Sequence, residues 1–227
     1  MIYLNVCEGI FLFRPNRFIA KVNIDGTVVI AHVKNTGRCK ELLVHGAKVI
    51  LQKANSSKRK TGYDLITVWK NERLINMDSQ APNKVFLEYL QSGRCIEDIT
   101  LIKSEAIHGN SRFDFYVETI RRKIFIEVKG VTLEKDGVVL FPDAPTERGV
   151  KHLNELALCI GEGYEAMVVF VIQMSNVHYF TSNNKTHSAF GEALVAAEKA
   201  GVKIIAVDCM VTENSLTINN SVPIKLT

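Results

Sequence analysis

The segment 105–129 constrains the fold of this chain more than any other, and it reads E-A-I-H-G-N-S-R-F-D-F-Y-V-E-T-I-R-R-K-I-F-I-E-V-K. Polar and apolar residues alternate over residues 111–118 and again over 123–129, which is the pattern of β-strands. Gly109-Asn110 and Arg121-Arg122 are typical of turns. The sequence therefore predicts antiparallel strands joined by short turns at the centre of the chain.

Alternation within the first of these strands separates its apolar and charged side chains. Phe113, Phe115 and Val117 are expected to share one face of the sheet, because every second residue of a strand points the same way. Asp114 and Arg112 then point to the opposite face. The first strand is thus predicted to present a carboxylate away from its apolar side.

The second strand and the turn add further charges to the same patch. Glu127 and Lys129 lie on the face away from Ile126. A two-residue turn at positions 109–110 brings Glu105 directly opposite Asp114, on the same face. The sequence therefore predicts up to three carboxylates and one lysine on one patch of the sheet.

This predicted patch requires a cation, because carboxylates gathered together repel one another. Hard, oxygen-seeking Mg²⁺ or Mn²⁺ is the natural candidate. A Glu-x-Lys pair alone is more often two solvated side chains on an exposed edge, so the pair gains its meaning from Asp114 on the preceding strand. Gly130 follows the pair and lets backbone or substrate approach closely. We therefore expect a Mg²⁺ or Mn²⁺ site here.

Several blocks of the chain carry a family resemblance. S-R-F-D-F followed by I-E-V-K-G resembles the D…(D/E)-x-K core of the PD-(D/E)XK nuclease superfamily. The chain also resembles the sugar fermentation stimulation protein A family, through blocks that follow in order along nearly its whole length. They include F-R-P-N-R-F, N-T-G-R-C-K-E-L-L, R-K-T-G-Y-D-L, G-N-S-R-F-D-F, E-V-K-G-V-T-L and F-P-D-A-P-T-E-R-G-V-K-H-L.

The resemblance implies an α+β chain in two domains. Residues 1–80 are expected to form a small OB-like, nucleic-acid-binding β-barrel, and residues 81–227 a PD-(D/E)XK nuclease-like mixed sheet flanked by helices. The strand pattern of the first part agrees with a barrel but does not choose among small barrels. In the second part, helical spacing over 83–91 and the continuous apolar run 166–172 agree with an α/β sheet.

The resemblance also assigns roles to the charged patch. Asp114, Glu127 and Lys129 are the expected catalytic residues, and Asp114 and Glu127 are the expected metal ligands. Glu105, from the strand geometry, and Glu88, on the first helix of the second domain, are further candidate ligands. Glu88 is equally explained as a surface residue of an amphipathic helix.

One departure from the family pattern concerns the last helix, predicted at about residues 189–200. Near its start, where the resemblance leads us to expect an acidic residue, this chain has His187. The sequence does not indicate whether this histidine replaces a useful carboxylate.

Charge is shared unevenly between the two parts. Residues 1–80 hold 13 Lys and Arg against 6 Asp and Glu, whereas residues 81–227 hold 15 against 18. A basic first part suits a polyanion, although a solvated surface without a partner is the plainer alternative. The candidate nucleic-acid contacts, which sit in predicted loops or near the start of the helix predicted at about 146–160, are Arg14, Asn16, Arg17, Asn35, Thr36, Arg38, Lys58, Arg59, Lys60, Arg112, Arg148, Lys151 and His152.

Aromatic side chains suited to stacking on bases are few in the first part of the chain. Phe13, Phe18, Tyr63 and Trp69 are candidates, and core positions are the alternative for each. His152 has a similar alternative as a polar residue at the margin of the core.

Composition excludes some classes of protein. No run of about 18 apolar residues is present, so we expect no membrane span. The N-terminus lacks a basic region leading into an apolar one, so we expect no secretion signal. The five cysteines are scattered without a C-x-x-C, which predicts reduced thiols in the cytoplasm.

The sequence therefore predicts a DNA-binding protein with a metal-dependent phosphodiester-hydrolysing site, and RNA stays open as the partner. The main alternative is a non-catalytic DNA-binding regulator of sugar-utilisation genes, as the family name implies. A third alternative is a barrel that binds a small molecule or a protein, which would bind DNA weakly and without steep salt dependence. The sequence does not indicate the oligomeric state.

Overall fold

The computed structural model describes residues 1–35, 37, 39–54, 59 and 61–226. Its first sheet has the strand order β3-β2-β1-β4-β5-β6, and a further parallel pairing of β3 with β5 closes the first five strands into a barrel. This OB-like barrel confirms the predicted fold of the first part. Its strands are β1 (Val6–Asn16), β2 (Ile19–Ile24), β3 (Thr27–Val33), β4 (Lys48–Lys53), β5 (Tyr63–Lys70) and β6 (Arg73–Asn76).

Alternating apolar residues fill the barrel interior. Val22, Ala31, Val49 and Leu65 are each completely buried. Burying a Val or Leu side chain contributes about 1.5–3 kcal/mol. These residues belong to the same hydrophobic cluster as Phe113 and Phe170 of the second sheet. Strand β1 continues through Asn16 before the chain reverses.

The second large sheet is mixed, with the strand order β15-β14-β12-β9-β8-β7. Its three central strands, β9, β12 and β14, run parallel, and the outer pairings are antiparallel. β12 is buried on both faces, as its continuous apolar run predicts. The strands are β7 (Ile99–His108), β8 (Ser111–Thr119), β9 (Lys123–Val131), β12 (Glu165–Ile172), β14 (Lys203–Val211) and β15 (Leu216–Ser221).

Helices cover both faces of this sheet. On one face lies α1 (Ala81–Gln91), whose Phe86 ring centroid is 5.9 Å from that of Phe115. On the other lie α2 (Glu147–Gly161) and α3 (Asn184–Lys199), beside a small sheet of β10 (Glu134–Lys135), β11 (Val138–Phe141) and β13 (Tyr179–Ser182). The predicted mixed sheet flanked by helices is therefore confirmed.

The central hairpin has the predicted register, with His108 opposite Ser111. The prediction that Phe113 and Phe115 share a face is wrong. Phe113 packs with Phe125 in the core below α2 and α3, whereas Phe115 packs in the core below α1. The change of face lies where the pairing of β8 with β9 ends, at Phe115 and Ile126.

The barrel and the second sheet are joined by buried polar contacts. The backbone N–H of Asn76 donates to the carbonyl of Gln173 at 2.9 Å, and the Gln173 side chain donates to Asn76 Oδ1 at 2.8 Å. Gln173 N donates in turn to the carbonyl of Val131, at the end of β9. The exit of the barrel is thus fixed to the strand that carries Glu127 and Lys129.

Helix α3 begins earlier than the sequence predicts and is interrupted. It starts at Asn184, and His187 inside it has the non-helical angles φ −157° and ψ 90°. No helix within the described ranges is long and apolar enough to cross a membrane.

Candidate active site

Asp114 lies where β8 and β9 diverge. The Val128 N–H donates to Asp114 Oδ2 at 2.8 Å, so a side-chain oxygen accepts the bond that a ladder carbonyl would otherwise accept. Asn83 Nδ2, from the first turn of α1, donates to Asp114 Oδ1 at 2.7 Å. The carboxylate is therefore held from two directions, by the neighbouring strand and by the helix.

Glu127 is the second carboxylate and is only 3 % exposed. Its Oε1 accepts from Lys129 Nζ at 2.6 Å and is also bonded to Nδ1 of His152. Its Oε2 is buried and has no hydrogen-bond partner among the described residues. A buried carboxylate oxygen without a partner is costly, so Oε2 is a ready ligand for a cation.

The two carboxylates have pKa values shifted in opposite directions. Burial, and then the nearby negative charge of Glu127, raises the pKa of Asp114. Burial alone would raise the pKa of Glu127 as well, but the hydrogen bond from His152 and the positive charge and hydrogen bond of Lys129 outweigh it and lower that pKa. Two interacting carboxylates with separated pKa values are typical of a functional site.

The geometry determines the tautomer of His152. The ring is 4 % exposed, and an ionised Glu127 only accepts, so Nδ1 carries the proton and donates to Oε1. Nε2 then accepts from Arg148 Nε at 3.4 Å. A neutral His152 thus bridges Glu127 to the guanidinium of Arg148 at the start of α2.

His152 was predicted to contact nucleic acid, and that role does not fit its position. The side chain is enclosed by Glu127, Arg148 and the Phe113 ring, whose centroid is 6.2 Å from its own. Helical periodicity predicts only that His152 lies at the margin of the core. It does not predict the hydrogen bond to Glu127, because that residue lies on β9, which is distant in sequence.

The two other candidate carboxylates lie outside this constellation. Glu105 adopts φ +57°, which interrupts the strand alternation, and its Oε2 is 2.8 Å from Nε of the exposed Arg112. Glu88 Oε2 is 2.6 Å from the amino group of Met1. Across the described part of the chain, no group of three or more His, Cys, Asp or Glu side chains is arranged to hold a metal ion.

The residues present nevertheless fit Mg²⁺ or Mn²⁺. Mg²⁺ is usually held by one or two carboxylates and completes its octahedron with water and substrate phosphate, so a full protein cage is not required. Glu127 Oε2 and the carboxylate of Asp114 are the oxygen donors this pattern needs.

Sequence reasoning missed Asn83 as a site residue. It was predicted only as the start of a helix, and its amide reaches Asp114 because α1 packs against the end of β9. The preceding Pro82 lies so close to Gly130 that a Cβ at Gly130 would be 2.6 Å from Pro82 Cγ. Packing therefore requires glycine at position 130. The sequence feature that could have indicated Asn83 as a site residue is the Pro82-Asn83 pair in the first turn of α1.

The polar residues around the β1–β2 turn divide into structural and exposed groups. Arg14 donates to the carbonyl oxygens of Asn35, at 2.9 Å, and of Gly37, at 3.3 Å, so it fixes the 35–37 loop. Asn16 Oδ1 accepts from the backbone N–H of Phe18 and Ile19. Arg17 is exposed, whereas Asn35 Oδ1 accepts from Gly37 N at 2.8 Å.

The remaining basic candidates are dispersed. Arg59 forms an ion pair with the buried Asp64, and Lys151 Nζ donates to the carbonyl of Asn110 at 2.7 Å. Arg112 and Arg148 are exposed near the site. Thr36, Arg38, Lys58 and Lys60 lie outside the described residues.

His187 is near the beginning of α2. Its Nε2 is 3.1 Å from Glu147 Oε1, and its Nδ1 accepts from the Thr146 N–H at 3.3 Å. Thr146 also caps the helix by accepting from Gly149 N at 3.0 Å. The histidine therefore supports the start of the helix that carries Arg148.

Fold and site together define a class of protein: an OB-like barrel joined to a mixed sheet, in which one strand presents a Glu-x-Lys pair beside an aspartate. Two family models match the chain, an SfsA N-terminal OB domain over residues 12–77 and a sugar fermentation stimulation protein RE domain over residues 80–215. The chain belongs to the sugar fermentation stimulation protein family.

Relatives match along the whole chain. Sugar fermentation stimulation protein homologs are 62 % identical in Desulfitobacterium hafniense (strain Y51), over 100 % of this chain and 99 % of that protein, and 58 % identical in Clostridium beijerinckii, over 100 % of both. A solved structure described as Pyrococcus furiosus SfsA in complex with Ca²⁺ has a TM-score of 0.90 and 28 % identity, covering 99 % of this chain and 98 % of that one.

Proposed function

We propose that this protein is a Mg²⁺- or Mn²⁺-dependent enzyme that hydrolyses phosphodiester bonds in DNA in the cytoplasm. The observation that carries the proposal is the buried Oε2 of Glu127, which lies beside Asp114 and Lys129 and has no hydrogen-bond partner in the described part of the chain. The related Pyrococcus furiosus structure is described as a Ca²⁺ complex, which supports oxygen ligation of a divalent cation at a matching fold. Five unbridged cysteines fit a reducing compartment.

Each side chain of the site has a separate task in this mechanism. Asp114 and Glu127 would hold the cation, which when bound would polarise the phosphodiester and lower the pKa of an attacking water. His152 and Lys129 both engage Oε1 of Glu127 and so leave Oε2 for the cation. An ammonium has three donors, and Lys129 uses one of them on Glu127, so the others can orient water or stabilise developing negative charge.

Basic side chains around the site are suited to holding the phosphate backbone. Arg148 projects from the start of α2, where the helix dipole also favours anions, and Arg112 lies on the neighbouring hairpin. Such contacts bind without regard to sequence, so we expect affinity to fall steeply with salt.

The test is cleavage of single-stranded and duplex DNA in Mn²⁺, Mg²⁺ or EDTA. The wild type is expected to cut only with metal, and Asp114→Ala, Glu127→Ala and Lys129→Ala are expected to lose cutting. Glu88→Ala is the matched control, since this exposed carboxylate pairs with the amino group of Met1 outside the site. Cutting that survives Asp114→Ala would rule out the mechanism.

A second candidate function is DNA binding without cleavage, as in a transcriptional regulator. This function is favoured because the described residues supply two carboxylates at the site and no third acidic ligand. Salt-sensitive DNA binding by wild type, with no cutting in either metal, would favour this function.

A further inference from the structure

The β1–β2 hairpin presents two aromatic rings to solvent, Phe13 on β1 and Phe18 in the turn. The exposed fractions of Phe13 and Phe18 are 55 % and 44 %. Phenylalanine is normally buried, so two exposed rings on one hairpin point to a ligand. We call Phe13, Arg17 and Phe18 the aromatic turn.

The backbone below these rings is held firmly. Phe18 N donates to Asn16 Oδ1 at 2.9 Å, and the Phe18 carbonyl accepts from Val33 N at 2.8 Å. Arg14 donates to the carbonyl of Arg17 and ties the turn to the 35–37 loop. The Phe18 ring is therefore presented by a fixed backbone, which lowers the entropy cost of binding.

Positive charge accompanies the rings. The Arg17 guanidinium carbon is 4.9 Å from the centroid of the Phe18 ring, and Lys21 is opposite Phe13 in the β1–β2 register. Lys40, on the far side of the turn, is exposed. Apolar rings interleaved with cations suit a ligand that alternates flat bases with phosphates.

A groove lies beside Arg17 of the aromatic turn. It has a volume of about 530 Å³, and its lining includes Arg17, Lys40 and Ala144. Ala144 is two residues before the N-cap of α2. A second cleft, of about 110 Å³, is lined by Asn35 and by Gly130, the residue after Lys129.

We infer that the aromatic turn binds single-stranded nucleic acid by stacking bases on Phe13 and Phe18, with the phosphates beside Arg17 and Lys40. A duplex hides its base faces within its own stack, so the aromatic turn discriminates in favour of single strands. The inference rests on the proposed nucleic-acid substrate and names its strandedness.

The experiment measures binding in EDTA, where cleavage does not interfere. A fluorescein-labelled oligothymidylate of about 16 nucleotides is compared with a duplex of equal length by anisotropy. Phe13→Ala and Phe18→Ala are each expected to weaken single-strand binding about 5- to 100-fold and to leave duplex binding within about twofold. Ile10→Ala and Val28→Ala are the matched controls, because both side chains are exposed on the same barrel without being aromatic.

A second readout isolates stacking from folding. A single-stranded probe containing 2-aminopurine is expected to lose fluorescence on wild type and on Phe18→Trp, and to keep it on Phe18→Leu. Equal losses of affinity in the control variants, or for duplex, would overturn the inference. A dimer in sedimentation that Phe13→Ala and Phe18→Ala dissociate would overturn it too, since the rings would then be covered by a second copy.

Failure of this inference is distinguishable from failure of the proposed function. Metal-dependent cutting with unchanged single-strand affinity in Phe13→Ala and Phe18→Ala overturns the aromatic turn alone. Weakened stacking in those variants, with no cutting by wild type, supports the aromatic turn and removes the nuclease.

Discussion

Glu127 and Glu134 lie near the two ends of one segment, and both are buried. They differ in how many of their carboxylate oxygens have hydrogen-bond or ion-pair partners. Glu134 is 6 % exposed; one oxygen accepts from Lys70, and the other from Arg73 and the Gly137 N–H. Lys70 and Arg73 lie on β5 and β6 of the first sheet, so this carboxylate joins that sheet to the small sheet that contains β10. Glu134 is fully paired, as a structural buried charge must be.

Glu127 is more deeply buried but only half satisfied. Lys129 and His152 both bond its Oε1, and Oε2 has no partner among the described residues. The comparison with Glu134 teaches that burial alone does not identify a functional carboxylate. An unused oxygen beside a second carboxylate, that of Asp114, does.

The largest expected effect follows from removing the free oxygen of Glu127. Glu127→Gln keeps an acceptor for Lys129 and replaces Oε2 by an amide that cannot bind a cation. We expect cleavage to fall about 10³-fold, within the range for losing a major charge-stabilising group, and Mn²⁺ binding in calorimetry to disappear. Glu134→Gln is the control and should keep both. Equal Mn²⁺ affinity in Glu127→Gln and wild type would contradict the assignment.

The variant Glu134→Gln should change the stability of the protein instead. Burial alone would raise the pKa of Glu134, but hydrogen bonds from Lys70 and Gly137 and the nearby Arg73 lower it from 4.5 to about 2. The resulting stabilisation is complete above about pH 4.5 and is lost as pH falls toward 2. Urea unfolding between pH 7 and 3 should show this decline in wild type and a weaker one in Glu134→Gln.

If the free energies of unfolding of wild type and Glu134→Gln depend on pH in parallel, the ion pairs of Glu134 do not stabilise the protein as expected. Glu8→Gln is a suitable control, because its pair with Lys48 is about half exposed and should contribute little.

A smaller effect concerns Asn83, which bonds the ionised form of Asp114. Without this bond the already raised pKa of Asp114 should rise further, so binding of Mn²⁺ should be lost at a higher pH than in wild type. We expect Asn83→Ala to weaken Mn²⁺ binding about 10- to 100-fold. Calorimetry from pH 5 to 8 measures both changes, with the exposed helical Asn154→Ala as control. An unchanged pH profile would leave Asn83 a purely structural residue.

Strand periodicity predicted the central hairpin, its register and the shared face of Glu127 and Lys129, because these depend on local alternation. It failed at Phe113 and Phe115, which enter different cores where the pairing of β8 with β9 ends. It also failed at Glu105, whose positive φ turns the side chain toward Arg112. Both failures are backbone irregularities that no repeating pattern encodes.

Tertiary partners were the other limit. Asn83 reaches Asp114 across 31 residues of sequence, and His152 reaches Glu127 across 25. Arginine is a residue type that commonly contacts phosphate, yet Arg14 donates to the carbonyl oxygens of Asn35 and Gly37. These residues come near Arg14 only in the folded barrel. Residue type therefore predicted the chemistry of the site better than it predicted the hydrogen-bond partners of the site residues.

The smallest expected effect tests the segment between the two glutamates. A Cβ on Gly130 would lie 2.6 Å from Pro82 Cγ and 2.7 Å from Gln173 Oε1, so Gly130→Ala overpacks the junction of α1 with β9. We expect a loss of about 1–2 kcal/mol in urea unfolding. Gly161→Ala is the matched control, because a Cβ there meets nothing within 4 Å and the residue ends a helix. Since Pro82 precedes Asn83, the displaced helix should also lower Mn²⁺ affinity, but less than Asn83→Ala does. A larger loss of affinity than in Asn83→Ala would mean that Gly130 acts on Lys129 directly.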